Sequence, residues 1–230
     1  MSRALNASGK DLRSASSELK RRLASGQVTV RNASRLDGLC AGLKSGEVIV
    51  EGDGGDYLGV LNDGATIEVK GNAGRYLADN MTKGTVLVRG DAGDGVGAYC
   101  YGGTIVVKGS AGDFAAVMNK GATIIVGGDV GDEVATYMLA GDVVIVGNAG
   151  GNLGNYLIRG SIYVGGEWTS LGHNTRVEEM TGADTTKLGS WLSSHGIEAD
   201  PARFRKIVRL SEKPFYKSKP SKTDSLRAQK

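Results

Sequence analysis

Seven glycines, Gly52, Gly71, Gly90, Gly109, Gly128, Gly147 and Gly166, recur at an unbroken spacing of nineteen residues. A second glycine stands three residues after each of the first six, as Gly55, Gly74, Gly93, Gly112, Gly131 and Gly150. Self-similarity at a fixed short period is the mark of a repeat architecture, in which no unit buries its own apolar face alone. Six complete units therefore cover residues 52–165. Counting from each leading glycine as phase 0, phase 7 reads Gly59, Ala78, Gly97, Ala116, Ala135 and Gly154. Only the two smallest side chains occur there, so tight packing is expected at that phase.

A further glycine at phase 12 or 13 opens a β-branched run in every unit, for example Gly84 and Gly141. Phase 15 holds Ile67, Val86, Ile105, Ile124, Val143 and Ile162, and phase 17 holds Val69, Val88, Val107, Val126, Ile145 and Val164. Spacing of two puts both columns on one face of a strand. Val48 and Val50 extend the columns backward, so a degenerate seventh coil occupies about 33–51. Nineteen residues are too few for a βαβ crossover and too irregular for a hairpin meander. Stacking remains, with like phases one above another at about 4.8 Å. The fold class is all-β: a right-handed parallel β-helix of about seven 19-residue coils, with short helical flanks at both ends.

Glycine supplies corner conformations with positive φ. The phase 1 series Asp53, Asn72, Asp91, Ser110, Asp129 and Asn148 offers short polar side chains that bond their own turn backbone. A calcium site is the competing reading, but the nine-residue calcium-binding β-roll pattern is absent. Three segments follow: a helix and cap over 1–32, the β-helix over 33–166, and a helical flank with a basic tail over 167–230. Within the first, Leu12, Ala15, Leu19 and Leu23 recur at helical spacing, Gly26 stops the helix, and residues 27–31 form a strand. In the last, 185–194 and a turn from Pro201 are helical.

Composition narrows the function. The 230 residues include 37 glycines but only three prolines, which excludes collagen and a Pro/Gly linker. A net charge of +3 is too small to argue for nucleic acid. MSRALNASGK has no apolar signal core, and no window approaches a bilayer span, so a cytoplasmic location is expected. Cys40 and Cys100 lie sixty residues apart without a CxxC partner, which supports neither a disulfide framework nor a metal ligand set.

Candidate chemistry is sparse. Gly93, Gly95 and Ala98 match G-x-G-x-x-A, yet a β-branched run follows where a nucleotide site needs a helix. Cys100 shares its column with Asn62, Met81, Asn119, Met138 and Leu157 and has no histidine nearby, so it reads as a packed thiol. His173 has no second titratable group beside it in sequence, and Ser2 lacks the strand an N-terminal nucleophile needs. No residue is assigned a catalytic, cofactor-binding or metal-binding role. The outward columns carry more. Phase 16 runs Ile49, Glu68, Leu87, Val106, Ile125, Val144, Tyr163, and phase 18 begins with a basic ladder of Lys70, Arg89 and Lys108. Long apolar stripes are seldom left wet. Either the chain's own termini cover this one, or Val106, Ile125 and Val144 meet a partner alongside Lys70, Arg89 and Lys108.

The repeated G-x-x-G-x-x-x-[GA] triads, Gly52/Gly55/Gly59 through Gly147/Gly150/Gly154, resemble the C-terminal β-helix domain of the glutamate synthase large subunit. The β-helix subunit of formylmethanofuran dehydrogenase shares this repeat. The helical leader and the exit GSIYVGGEWTSLGHNTRVEEM followed by FRKIVRLSEKPFY are similar to the small β-helix subunits of N-methylglutamate synthases. The resemblance implies a non-catalytic scaffold in a complex that makes N-methylglutamate from glutamate and methylamine. It implies two companions, a type II amidotransferase-like chain and an FMN-binding chain, with FMN and an iron-sulfur cluster held by a companion and no cofactor in this chain. The alternative is the β-helix subunit of a formylmethanofuran dehydrogenase or of a formyltransferase/hydrolase complex. An adhesin-like binding module is a third reading, disfavoured by the irregular outer columns.

Overall fold

The structure, a computed structural model, describes residues 4–212; the basic tail expected beyond Glu212, and Ser2, lie outside them. Strands β1 (Ala4–Asn6), β2 (Val28–Arg31), β3 (Glu47–Glu51), β4 (Asp63–Val69), β5 (Lys83–Val88), β6 (Thr104–Val107), β7 (Lys120–Val126), β8 (Ala140–Ile145) and β9 (Ser161–Val164) pair in chain order. All these pairings are parallel, and from β4 to β9 phases 14–17 face their counterparts nineteen residues on, as in Ile67↔Val86 and Ile124↔Val143. The chain is thus a parallel β-solenoid of about seven turns. The phase 15 and 17 columns are fully buried and form the core.

A second column of single parallel bridges runs through phase 2, from Ala73 through Ala92, Ala111, Val130 and Ala149 to Trp168. This bridge and the hydrogen bonds Gly172 N–H to Leu153 carbonyl and Tyr156 N–H to His173 carbonyl carry the coil half a turn past Gly166, where the sequence repeat ends. The N-terminal end is closed by helix α1 (Leu12–Leu23), whose Ala15 and Leu19 are buried, with Asp11 capping it by accepting from the Ser14 N–H. The C-terminal end differs from expectation by adding two strands. β11 (Arg205–Arg209) pairs antiparallel with β9, and β10 (Thr175–Glu178) pairs antiparallel with β11. Helix α2 (Gly182–Ser194) and a 3-10 turn at Pro201–Arg203 lie between them in sequence. Among the described residues no helix is long and apolar enough to cross a membrane.

Glycine plays two roles, and the leading column is not in the expected one. Gly103 and Gly141, which open strands, do adopt positive φ of 88° and 93°. In the leading column only Gly52 has positive φ. Gly71 through Gly166 are glycine because the coils approach too closely for a Cβ, which would meet backbone atoms of the previous coil at 2.5–3.0 Å. Their N–H groups bond the leading carbonyl below, as in Gly109 to Gly90 at 3.0 Å.

Positive φ is instead carried by bulky residues. Phases 5, 7 and 9 are left-handed in every coil, and in the six complete coils their non-glycine members lie between 51° and 60°. They include Tyr57, Leu61, Tyr76, Tyr99, Phe114, Met118 and Tyr137, for which the left-handed conformation costs roughly 1–2 kcal/mol each. Inter-coil bonding offsets that cost. The phase 7 N–H points back to a carbonyl of the preceding coil (Ala116 to Val96, 2.8 Å), whereas phases 5 and 9 point forward (Tyr76 to Asp94, 2.7 Å; Tyr99 to Val117, 2.9 Å). Small residues at phase 7 follow from its inward-facing contact with the core, since the same conformation carries bulky residues at phases 5 and 9: a Cβ on Gly59 would sit 3.2 Å from Ile67 Cδ1, and one on Gly97 2.5 Å from Ile124 Cδ1.

A methyl group is therefore expected to discriminate. Gly109→Ala should lower stability by about 1–3 kcal/mol through forced coil separation. Gly182→Ala, whose Cβ has nothing within 4 Å, should be neutral or up to about 1 kcal/mol stabilising. Urea unfolding of both variants tests this, and equal midpoints would refute the close-stacking account.

Candidate interaction surface

The left-handed corner presents its bulky side chains outward. Tyr57 and Tyr76 at phase 5 stack with ring centroids 4.9 Å apart, and Tyr137 and Tyr156 at phase 9 stack at 5.2 Å. The His173 ring lies beyond the second stack, 4.8 Å from Tyr156 and tilted by 50° against it. Gly95 interrupts the phase 5 column because the Tyr76 ring occupies the space of its missing side chain. Lys120 places its Nζ 3.9 Å from the Tyr101 ring centroid and 5.8 Å from that of Tyr99. Tyr57, Leu61, Tyr76, Tyr99, Tyr101 and Phe114 are all exposed, Leu61 and Tyr101 to 56%. Sequence reasoning passed over this surface because its aromatics are spread over three phases.

An acidic edge borders it. At phase 1 each short side chain accepts the N–H of the same phase in the next coil, as in Asp53 from Asn72 (2.8 Å) and Asp129 from Asn148 (2.7 Å). The expectation that these side chains bond their own turn is thus corrected: they tie coil to coil. A second ladder at phase 4 does the same, Asp37 accepting from Asp56, Asp94 from Asp113, Asp113 from Asp132 and Asp132 from Gly151. Arg75 is the one base in that column and pairs with Asp56 at 2.9 Å. Asp79, at phase 8 between the aromatic columns, is half-buried, and burial pushes its carboxyl upward against the hydrogen bond from Asn80.

The interface expected at Val106, Ile125 and Val144 is corrected. All three are fully buried with Tyr163 beneath Leu188, Leu192 and Phe204, so the chain's own α2 and its following segment cover the phase 16 stripe. Lys108 also turns inward: its Nζ donates to the carbonyls of His195 and Gly196, where a cation suits the helix C-terminus. Lys70 and Arg89 remain exposed, both paired with Glu68 at 2.7 Å. Beneath α2 lies a polar clasp. Tyr163 Oη donates to Asp184 at 2.8 Å, Lys206 meets the same carboxylate at 3.1 Å, and Lys187 reaches Asp142 at 3.1 Å. Asp184 also completes a capping box with Thr181. Burial opposes its charge, but the hydrogen bonds from Thr181, Tyr163 and Lys206 prevail and hold the carboxyl well below the usual range.

The remaining candidates sit apart. Cys40 and Cys100 are buried, and burial pushes each thiol up to about 12. Cys100 Sγ donates to the Ala78 carbonyl at 3.1 Å. In the same column Asn62 and Asn119 are buried and satisfied, each bonding both backbone groups of a single residue three positions on. His195 caps α2, and burial together with Lys108 lowers its pKa. Gly93-x-Gly95 lies in a turn with no helix after it. Among the described residues no group of three or more His, Cys, Asp or Glu is placed to hold a metal ion. No protein-family model matches the chain, and no curated protein matches it.

Two outcomes follow from these environments. Neither thiol should react with a disulfide reagent at about pH 8 until the protein unfolds, because thiolate is the reactive form; rapid native labelling would refute their burial. Asp184 contributes stability that is complete above the unfolded carboxylate pKa of about 4 and lost as pH falls through its depressed folded value. Asp184→Asn should therefore cost about 1–3 kcal/mol near neutrality and flatten the acid limb of a melting-midpoint series. An unchanged acid limb would contradict the clasp.

Proposed function

We propose that this chain is the non-catalytic β-helix scaffold subunit of a flavin-dependent, glutamate-synthase-like complex, of the kind that forms N-methylglutamate from glutamate and methylamine. The observation that carries the reading is the vertical register of the glycine triads. The G-x-x-G-x-x-x-[GA] motif on which the resemblance rests occupies equivalent corners in successive coils, as the bridges Ala73↔Ala92 and Ala92↔Ala111 between its glycines record. A solenoid knitted by hydrogen bonds at several phases of every coil resists bending, which suits a spacer between two catalytic chains. On this reading the amidotransferase-like and FMN-binding companions hold the reacting groups, and an iron-sulfur cluster belongs to a companion. The complex works in the cytoplasm. The exposed aromatic corner supports the reading, since contiguous apolar surface marks a place where something docks.

Native purification of the tagged chain from its source cells tests the proposal. The expected result is co-elution with two larger chains and flavin absorbance, and methylamine-dependent glutamate consumption by the complex but not by the isolated scaffold. A chain that elutes alone, or that turns over alone, overturns it. Companions of a formyl-transferring complex would assign the scaffold to that enzyme.

A further inference from the structure

We infer that the left-handed corner is a docking surface for a positively charged face of a companion protein. Tyr57, Leu61, Tyr76, Tyr99, Tyr101 and Phe114 give it exposed apolar and aromatic area of the kind enriched at protein interfaces. The chain buries its other outward apolar stripe under α2, so coverage of that stripe is internal while the corner faces outward. Charge identifies the occupant. Along phase 4, on one border of the aromatics, stand Asp37, Asp56, Asp94, Asp113 and Asp132, with Arg75 as the only base in that column, while the opposite border at phases 11 and 12 carries Lys44, Lys83, Lys120 and Arg159, Lys83 being paired with Asp63. In a protein of net charge +3 the phase 4 edge is locally acidic, and it steers a basic surface toward the corner. Asp79 adds a half-buried carboxylate whose charge is opposed by burial and supported by the Asn80 hydrogen bonds and the field of Lys120. The surface already accommodates one ammonium, that of Lys120 over the Tyr101 ring. The inference rests on the scaffold reading only for the companion's identity.

Asparagine separates binding from folding here. It tolerates the left-handed conformation, so Leu61→Asn, Tyr99→Asn and Phe114→Asn together remove apolar surface from positions at φ 57–60° without new backbone strain. Asp94→Asn, Asp113→Asn and Asp132→Asn together remove charge while keeping the acceptor oxygen, as Asn72 and Asn148 already do at phase 1. Each set is introduced into the full tagged chain in source cells, with Lys70→Ser/Arg89→Ser as the opposite control, and companion recovery is quantified by mass spectrometry. The first set should reduce recovery by about tenfold or more. The second should reduce it at low salt and remove most of its salt dependence. The control should recover as wild type.

Where a melting curve shows that a set has unfolded the chain, a photoreactive benzoylphenylalanine in place of Phe114 or Arg89 substitutes for it. Adducts from position 114 to a companion peptide bearing lysine or arginine support the inference. Wild-type recovery by folded variants of either set, or adducts from position 89 only, overturns it. So does a dimer of the isolated chain abolished by the first set, which would assign the face to a second copy. Absence of any companion in the wild-type preparation overturns both this inference and the scaffold reading. Companions lost in the first set but unlike any glutamate synthase chain overturn that reading alone and leave the docking surface standing.

Discussion

Each coil's backbone donors and acceptors find their partners in the coils above and below, and this one requirement governs the rest of the molecule. It explains why the leading glycines lack side chains: the Gly90 carbonyl receives the Gly109 N–H across a gap with no room for a methyl group. It also explains why tyrosine, phenylalanine and methionine accept a conformation they otherwise avoid. Turning φ positive at phases 5, 7 and 9 reverses the direction of successive N–H groups, so one corner bonds upward and downward in alternation. The aspartate ladders add side-chain acceptors at phases 1 and 4, where the backbone of the next coil presents a spare donor.

Much of this was legible in the order of residues. The nineteen-residue glycine spacing specified stacking, and the paired columns of Ile and Val named the core strands correctly because period-two burial is a local property. Helix α1 was visible in Leu12, Ala15, Leu19 and Leu23 for the same reason. What escaped notice depended on neighbours distant in sequence. Asp53 looks like a residue that bonds its own turn, and only the stacked geometry shows its acceptor turned toward Asn72. Nothing intrinsic to Tyr76 or Phe114 announces positive φ, since their strain is offset by carbonyls nearly a full coil away in sequence. The cover over Val106, Ile125 and Val144 comes from Leu188 and Leu192, and no local signal pairs those segments. The strands β10 and β11 were missed because they close the end antiparallel, outside the repeat.

The solenoid consequently has outward faces of different character. One apolar stripe is finished by the chain itself, held by the Tyr163–Asp184–Lys206 clasp at one end and by Lys108 at the other. The basic ladder shrinks to Lys70 and Arg89, which share the single carboxylate of Glu68. The corner combines exposed rings with an acidic edge at phase 4, and it extends along the solenoid from Tyr57 to Tyr137. On the proposed scaffold reading, this corner is where a companion would be gripped, and inter-coil hydrogen bonds such as Tyr76 N–H to the Asp94 carbonyl tie it to the rest of the solenoid.

Helix α2 matches the number of strands between its two anchors on the solenoid. It spans from Asp184, clasped to Tyr163 on β9, to His195 and Gly196, whose carbonyls receive Lys108 just past β6. Eleven residues of helix rise about 16 Å, and three steps between stacked strands cover about 14 Å. The helix is therefore a gauge bar cut to four strands. Duplicating a coil between Thr104 and Val164 would add about 4.8 Å between its two anchors, a gap that α2 could span only with about three more helical residues.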